Sequence, residues 1–489
     1  VGFAICVAAT IHIYLAARVA WLVFPLFLVY LWLIHRDAFQ KSWRGVTVGL
    51  LAAGLLVTPM FVYLRLHPAI ITRLGMLDGP LQSIRQGEWG PVLHNASAAL
   101  LAFVWPGFGD QFLAYNIPGR PVLDGVTAVF FVIGLLVAVW RWRQRPYAFL
   151  LLWFGVGILP SLITGPTANT TRNLAALTPV HLLPAVGFAA VWGRRGNGRR
   201  PYLAAAAALW LGLAGFITAR DYFGRWAESP DVRGAYQTTL VAMLDYLETE
   251  PMNSPVALST VYPGTAHDPS IGLVMMPEQN VATRWMDARF ALLWPDGGEL
   301  LIPQSTPLHP ILAELVRPST TITLRPDDLD PAFTRYQWQP EAIARHLPNT
   351  PLANFGDALL LLSADWLTAD TIPGSTAEML TIWQVTDPER AGPRVPPAGL
   401  TDVVLFTQVL ATDGQVLAQR DALHAPSWDW QTGDILFQIH PIQLPENSVP
   451  GRYQVIVGVY DRLSGNRLAV TEPAGQTFAE VAPLTVKTP

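Results

Sequence analysis

Cysteine is all but missing: Cys6 stands alone in 489 residues. A single thiol excludes a disulfide framework and any cysteine-built metal site. Charge is scarce as well, 14% against 51% hydrophobic residues. With a mean hydropathy of +0.31, that composition excludes an ordinary soluble chain and points to the membrane class. Lysine occurs only as Lys41 and Lys487, against 30 arginines, a bias we assign to base composition rather than function. No Gly-rich phosphate loop, Ser-His-Asp pattern, nucleic-acid signature or fixed-period repeat is present. His12, His94 and His181 lack the spacing of metal ligands, so a divalent cation has no identifiable ligand set. No charged segment precedes the first apolar run, which therefore does not read as a signal peptide. It reads as a helix entered partway, and the chain is expected to be a fragment.

The charge that exists is divided. Residues 1–220 carry 17 Lys+Arg against 5 Asp+Glu, whereas residues 221–489 carry 15 against 31. An apolar, basic membrane domain over 1–220 is thus followed by an acidic, Pro-rich half of ordinary polarity. A span needs roughly 20 apolar residues. Cutting at charged clusters gives seven candidates, near 1–15, 19–34, 45–64, 123–140, 147–163, 176–192 and 202–219. Three short basic connections, 35–44, 141–145 and 193–200, belong in the cytoplasm by the positive-inside rule. Alternation then places residues 14–18, 65–122, 164–175 and everything after 220 outside the plasma membrane.

The run T-I-H-I-Y-L-A-A-R-V-A-W (10–21) carries Tyr14 and Arg18 inside apolar sequence. Arginine at mid-bilayer costs at least ~2.5 kcal/mol, so these residues read as the meeting point of two spans at headgroup depth. Either Arg18 anchors a helix end and Tyr14 an aromatic belt, or Arg18 faces a cavity and pairs with an anion such as a lipid phosphate. Ala98–Trp105, in the long connection 65–122, reads as an interfacial amphipathic segment. That connection ends in W-P-G-F-G-D-Q-F-L-A-Y-N-I-P-G-R-P-V-L-D (105–124), a rigid loop with Asp110, Asn116, Arg120 and Asp124 as its polar groups. The next connection, 164–174, has Arg172 as its one charge. Asn95 and Asn169 match the glycosylation pattern.

Y-L-A-A-R at a span junction, N-I-P-G-R-P-V-L-D before a span and R-N-L-A-A-L-T-P-V-H-L-L together resemble bacterial family-39-like membrane glycosyltransferases. These have the GT-C fold and are related to protein O-mannosyltransferases and the aminoarabinose transferase of lipid A. The resemblance covers residues 1 to about 220 as the second half of such a domain. More loosely it takes in V-A-T-R-W-M-D-A-R-F-A-L-L-W-P (281–295). It implies transfer of a sugar from a polyprenyl phosphate to a lipid, glycan or protein acceptor at the outer face of the cell envelope. It implies Tyr14, Arg18 and Arg172 at the lipid phosphate, with Asp110, Asn116 and Arg120 in the cavity wall. The family's catalytic acid has no counterpart here. It is expected upstream of Val1, since Asp78, Glu88, Asp110 and Asp124 follow the third span, and this chain alone is expected to be inactive. The rival reading is a non-catalytic, membrane-anchored glycan-binding or assembly protein.

In the acidic half, Leu240, Met243, Leu244 and Leu247 have helical spacing within 221–250. Residues 255–260, 288–294 and 300–303 read as short strands and 309–316 as helix, giving an extracytoplasmic α/β domain over 221–390. The Pro-rich run 387–399 reads as a linker. Period-two alternation with Asp413-Gly414 at a hairpin turn then predicts an immunoglobulin-like β-sandwich over 391–489. Its W-D-W (428–430) fits packing anchors better than a sugar-stacking platform.

Overall fold

The computed structural model describes residues 1–67, 79–163, 170–192, 200–276, 281–368, 371–392, 394–395, 400–401, 403–472 and 475–488. The chain forms two compact units, Val1–Val232 and Arg233–Pro489. The first is helical. Its apolar runs fold as α1 (Gly2–Ile13), α2 (Val23–Ile34), α3 (Arg36–Leu66), α6 (Gly125–Trp140), α7 (Arg145–Ile163), α8 (Leu177–Trp192) and α9 (Arg200–Ala219), with α4 (Gly79–Arg85) and α5 (Gly90–Leu101) between α3 and α6. Among the described residues, four helical segments are long and apolar enough to cross a membrane: Ala16–Ile34, Arg36–Leu66, Arg145–Ile163 and Thr170–Trp192. A helix satisfies its own backbone hydrogen bonds, as hydrocarbon requires.

The run 10–36 is two helices, as its polar interruption demands. Helix α1 stops at Ile13, Tyr14 is extended, and a 3-10 stretch, Ala16–Leu22, leads into α2. The expected connection at 35–44 is a correction: it is the opening of α3, which runs unbroken for 31 residues. The His35 ring lies 2.7 Å from the Arg143 carbonyl, Tyr30 donates to the same oxygen at 2.8 Å, and Asp37 pairs with Arg145 at 2.9 Å. The first two basic segments therefore share one end of the helical unit. Residues 193–199 of the third lie outside the described residues, as do Asp78 and Asn169.

Ala98–Trp105 is a second correction. Ala99, Ala102 and Phe103 are buried, and Phe103 joins Leu123, Phe131, Phe154 and Leu183 in the core of this unit. Asn95 is only 1% exposed, which removes it as a glycosylation site. Helices α6 and α8 meet at bare backbone: a Cβ on Gly134 would sit 1.9 Å from the Leu183 carbonyl oxygen, and one on Gly187 would sit 2.1 Å from that of Phe130. Small residues at a helix crossing allow that approach. Helix α9 instead meets both helices through Trp210, whose ring lies 5.4 Å from Phe130 and 6.2 Å from Phe188.

The second unit joins an α/β layer to a β-sandwich. Helix α10 (Thr238–Thr249) buries Leu240, Met243, Leu244 and Leu247, its predicted face, against strands β1 (Val256–Ser259) and β4 (Glu299–Pro303) and neighbouring residues. Helix α11 (Asp268–Met275) leads from β1 to β2 (Thr283–Met286). With β5 (Val316–Thr323) and β6 (Ala332–Trp338) these form one sheet in the order β2-β1-β4-β6-β5, in which β1 runs parallel to both of its neighbours. The expected helix at 309–316 shrinks to Pro310–Ala313.

The sandwich does not begin at 391. Strands β7 (Ala353–Phe355), β8 (Leu359–Trp366) and β9 (Thr376–Val385) belong to its six-stranded sheet, with β14 (Ile435–Gln443), β16 (Val470–Glu472) and β3 (Ala291–Trp294), in the order β16-β7-β8-β9-β14-β3. The facing sheet is β13-β12-β15-β17, from β12 (Val403–Leu410), β13 (Val416–Ala422), β15 (Gly451–Asp461) and β17 (Ala479–Val486). A small ribbon pairs β10 (Arg394–Val395), within the Pro-rich run, with β11 (Leu400–Thr401), just after it. That run therefore joins two faces of one sandwich, because the apolar strands at 359–385 find their cover there. Residues 291–294, placed with the α/β layer by sequence, pair antiparallel with 435–438. In W-D-W, Trp428 donates to the Pro263 carbonyl at 3.2 Å and Trp430 to that of Ala425 at 3.0 Å, while the Asp429 carboxylate accepts from the Trp285 N–H. These residues are packing anchors between strands.

Candidate functional site

The loop 105–124 is built to hold a shape. Gly107 donates to the Gly119 carbonyl at 2.8 Å, and the Gln111 amide reaches the carbonyls of Gly107 and Gly109, each at 3.0 Å. A Cβ on Gly109 would fall 1.9 Å from the Arg120 carbonyl oxygen, so only glycine admits the crossing. The Asn116 side chain donates to that same carbonyl at 3.0 Å. Arg120 is thereby fixed from both sides.

Its guanidinium points to Asp221, at 3.4 Å. Helix α9 passes into a π-helical turn, Arg220–Trp226, and π turns recur at functional sites. This one brings Arg220 to 2.9 Å and Arg225 to 3.5 Å from the Asp221 carboxylate. Trp226 ties the turn to the loop by donating to the Leu113 carbonyl at 2.8 Å. Asp221 is 6% exposed. The Arg220 hydrogen bond, reinforced by the charges of Arg120 and Arg225, holds its carboxyl below the usual range. Three guanidiniums around one carboxylate leave two positive charges in excess, and Arg220 and Arg225 are more than half exposed.

Below this cluster a cavity of about 820 Å³ opens between α6, α8 and α9, with Arg120 in its lining and Leu123, Pro184, Phe188, Trp210 and Phe223 among its apolar walls. Its volume falls in the range of ligand clefts. Asp124 also lines it, but that carboxylate is engaged as the cap of α6, accepting from the N–H groups of Val126 and Thr127 and from the Thr127 hydroxyl. An apolar groove lined by a guanidinium that belongs to this cluster suits an amphiphile with an anionic head.

The residues singled out by sequence are divided. Asn116 and Arg120 act together at this cluster. Asp110 does not line the cavity: it is buried, accepts from the Phe112 N–H at 2.9 Å and from Thr170 at 3.1 Å, and ties the loop to the turn before α8. Arg18 donates to the Ile11 carbonyl at 3.3 Å, at the carboxyl end of α1, and lies 5.9 Å from the Phe61 ring centre, the anchoring geometry of a helix-end cation. Tyr14 lines a separate cavity of about 390 Å³ beside Trp21 and Trp153, and neither Arg18 nor Arg172 is in its lining. Arg172 sits half-buried in the 3-10 turn Thr170–Ala176. The two 3-10 turns that carry Arg18 and Arg172, Ala16–Leu22 and Thr170–Ala176, pack on each other, with Tyr14 just before the first of them. Arg220, Asp221 and Arg225 escaped sequence reasoning. Their signal is R-D-Y-F-G-R directly after the last apolar run, where an acid between two arginines marks a preformed cluster. Among the described residues no group of three or more His, Cys, Asp or Glu side chains is placed to hold a metal.

No family model matches the chain, and no curated protein matches it. Among solved structures, the crystal structure of BslA, a bacterial hydrophobin, aligns over 28% of this chain and 98% of its own at 12% identity, with a TM-score of 0.13. A likeness that slight bears on neither fold nor function.

Proposed function

We propose that the helical unit of this chain belongs to a GT-C-type glycosyltransferase that takes a sugar from a polyprenyl phosphate at the outer face of the plasma membrane. The lipid phosphate is bound by Arg120, Arg220 and Arg225, and the isoprenoid chain lies in the groove between α6, α8 and α9. One observation carries this reading: three guanidiniums gather on a single buried carboxylate, and one of them, Arg120, also lines the apolar groove. When the bond between the sugar and the phosphate oxygen breaks, negative charge grows on the departing lipid phosphate. Fixed cations beside a low-dielectric groove stabilise that charge without reorganising. Asp221 supplies the fixing, since it orients the guanidiniums before substrate arrives. The reading covers the leaving-group end of the reaction and assigns no base to the acceptor hydroxyl.

The test is equilibrium binding of a short-chain polyprenyl phosphate to the full chain in lipid nanodiscs, with the uncharged polyprenol as control. Charge-assisted contacts contribute roughly 1.5–3 kcal/mol each, so Arg120→Gln and Arg220→Gln should each weaken phosphate binding by about tenfold or more. Arg18→Gln should leave it unchanged. Equal affinity for phosphate and alcohol, or undiminished binding in the triple Arg120/Arg220/Arg225→Gln variant, would remove the assignment.

A further inference from the structure

A cavity of about 260 Å³ lies in the carboxyl-terminal unit, lined by residues that include Gln237, Ser259, Thr260, Tyr262, Asp268 and Ser305. Its position follows from the topology. Strand β1 has parallel partners on both sides, β2 and β4, and an open α/β sheet with strand order reversing at one strand leaves a crevice outside the carboxyl ends. Ser259 ends β1 with Thr260 next to it, and Pro303 ends β4 with Ser305 just beyond, so the cavity occupies that crevice.

Each carboxylate in it already has hydrogen-bond donors. Asp268, 2% exposed, accepts from the Thr260 hydroxyl and from His267 Nδ1 at 2.6 Å. Asp328 is held by both arms of Arg233, at 2.5 and 2.8 Å. Asp330 accepts from the Ser305 N–H at 3.1 Å and from its hydroxyl at 2.7 Å. Three carboxylates against one arginine repel an anion. Each carboxylate also has its own donors, so no bare charge awaits a cation. What remains is spare acceptor capacity, the demand that hydroxyl groups meet.

Gln237 supplies the complement. Its Oε1 is buried without a hydrogen-bond partner. Its Nε2 lies 3.4 Å from His267 Nδ1, which is a donor to Asp268 and offers no lone pair in return. The backbone of Gln237 is left-handed, with φ of +53°, a conformation that costs a non-glycine residue of order 1 kcal/mol and recurs at ligand clamps. An amide held in that conformation with an unmet acceptor lacks a partner that the protein does not provide. Tyr262, 56% exposed and packed 4.4 Å from the His267 ring, adds an aromatic face to the lining.

We infer that this crevice binds a neutral polyhydroxylated ligand, the size of a single sugar ring, with Gln237 hydrogen-bonding its hydroxyls and Tyr262 packing on its C–H face. The inference stands apart from the transferase reading, because none of its residues belongs to the arginine cluster. The test is saturation-transfer difference NMR on the full chain in lipid nanodiscs, free of sugar-based detergent. Glucose, galactose, mannose and N-acetylglucosamine are offered singly at millimolar concentration, with ethanolamine and inorganic phosphate as charged comparators. At least one sugar should give saturation transfer, and Gln237→Ala and Tyr262→Ala should each weaken it by about tenfold while thermal melts by circular dichroism keep the wild-type midpoint. Gln237→Glu, which keeps the shape and adds a charge, serves if the alanine variant unfolds, and should lose the signal too. No transfer from any sugar, transfer undiminished in the variants, or transfer from ethanolamine or phosphate in place of sugar would overturn the inference.

Discussion

Glu299 opens β4 and is 1% exposed. Arg335, on the adjacent strand β6, offers it a fork: Nη2 lies 2.6 and 2.8 Å from the two carboxylate oxygens and Nε lies 3.2 Å from Oε1. The Asn253 N–H donates to the same carboxylate at 3.0 Å. Replacing Arg335 by Met leaves a buried carboxylate with one backbone donor, and breaking a buried pair in this way costs about 3–5 kcal/mol. Glu299→Met leaves a guanidinium with 19% of its side chain exposed and the Pro251 carbonyl at 3.3 Å. Water can reach that charge, so this loss should be the smaller of the two. The double Met variant buries no charge. Its main debit is the orphaned Asn253 N–H, roughly 1–3 kcal/mol, offset by apolar contact. Urea denaturation of the full chain, followed by tryptophan fluorescence, should therefore rank Arg335→Met least stable and the double variant at least ~1 kcal/mol above it. Simple additivity of the two single losses would refute the reasoning, since independent sites add and coupled ones do not.

Acid should destabilise the carboxyl-terminal unit through His440, which burial holds down to about 3, and His424, which burial holds down to about 4. The neutral imidazole is the form that folds, so stability is complete above the ordinary value of 6.5 and declines as pH falls toward those values. At pH 5 each such site costs about 2 kcal/mol, and Asp429, pushed up to about 7 by burial, offsets part of the loss. His440→Leu should shrink the wild-type stability difference between pH 7 and pH 5 by about 2 kcal/mol in denaturant titrations; an unchanged difference would reject the neutral-core assignment. Gly109→Ala should disturb the Arg120 loop through its 1.9 Å clash and weaken polyprenyl phosphate binding severalfold, and wild-type binding there would show that the loop need not be rigid. Gly134→Leu should separate α6 from α8 and lower the melting temperature of the helical unit, read by circular dichroism in nanodiscs.

Helix positions were legible because apolar length and charged interruption act locally. The break at Tyr14–Arg18, the buried face Leu240–Leu247 and the Asp413-Gly414 turn, where Gly414 has φ of +79°, all follow from patterns within a few residues. What was hidden depends on partners distant in sequence. The pairing of 291–294 with 435–438 leaves no mark in either segment, since a strand of four apolar residues reads alike in any sheet. Arg18 and Arg220 are equally conspicuous in the chain, yet one caps a helix end and the other joins a cluster completed by Arg120, about 100 residues earlier. The opening of α3 is helical although its basic residues mark a break between spans, because arginine and lysine are good helix formers.

Strand β3 also sets an order of events during synthesis. Residues 291–294 emerge about 140 residues before the β14 segment that covers their edge. At roughly 5–20 residues per second that edge, Ala-Leu-Leu-Trp, waits on the order of ten seconds with its backbone groups unpaired. An open apolar edge is a template for another chain. The five strands of the α/β sheet are all made by residue 338, yet the segment between β2 and β4 still waits for β14, and a ribosome stalled between residues 340 and 430 would hold a sticky half-product.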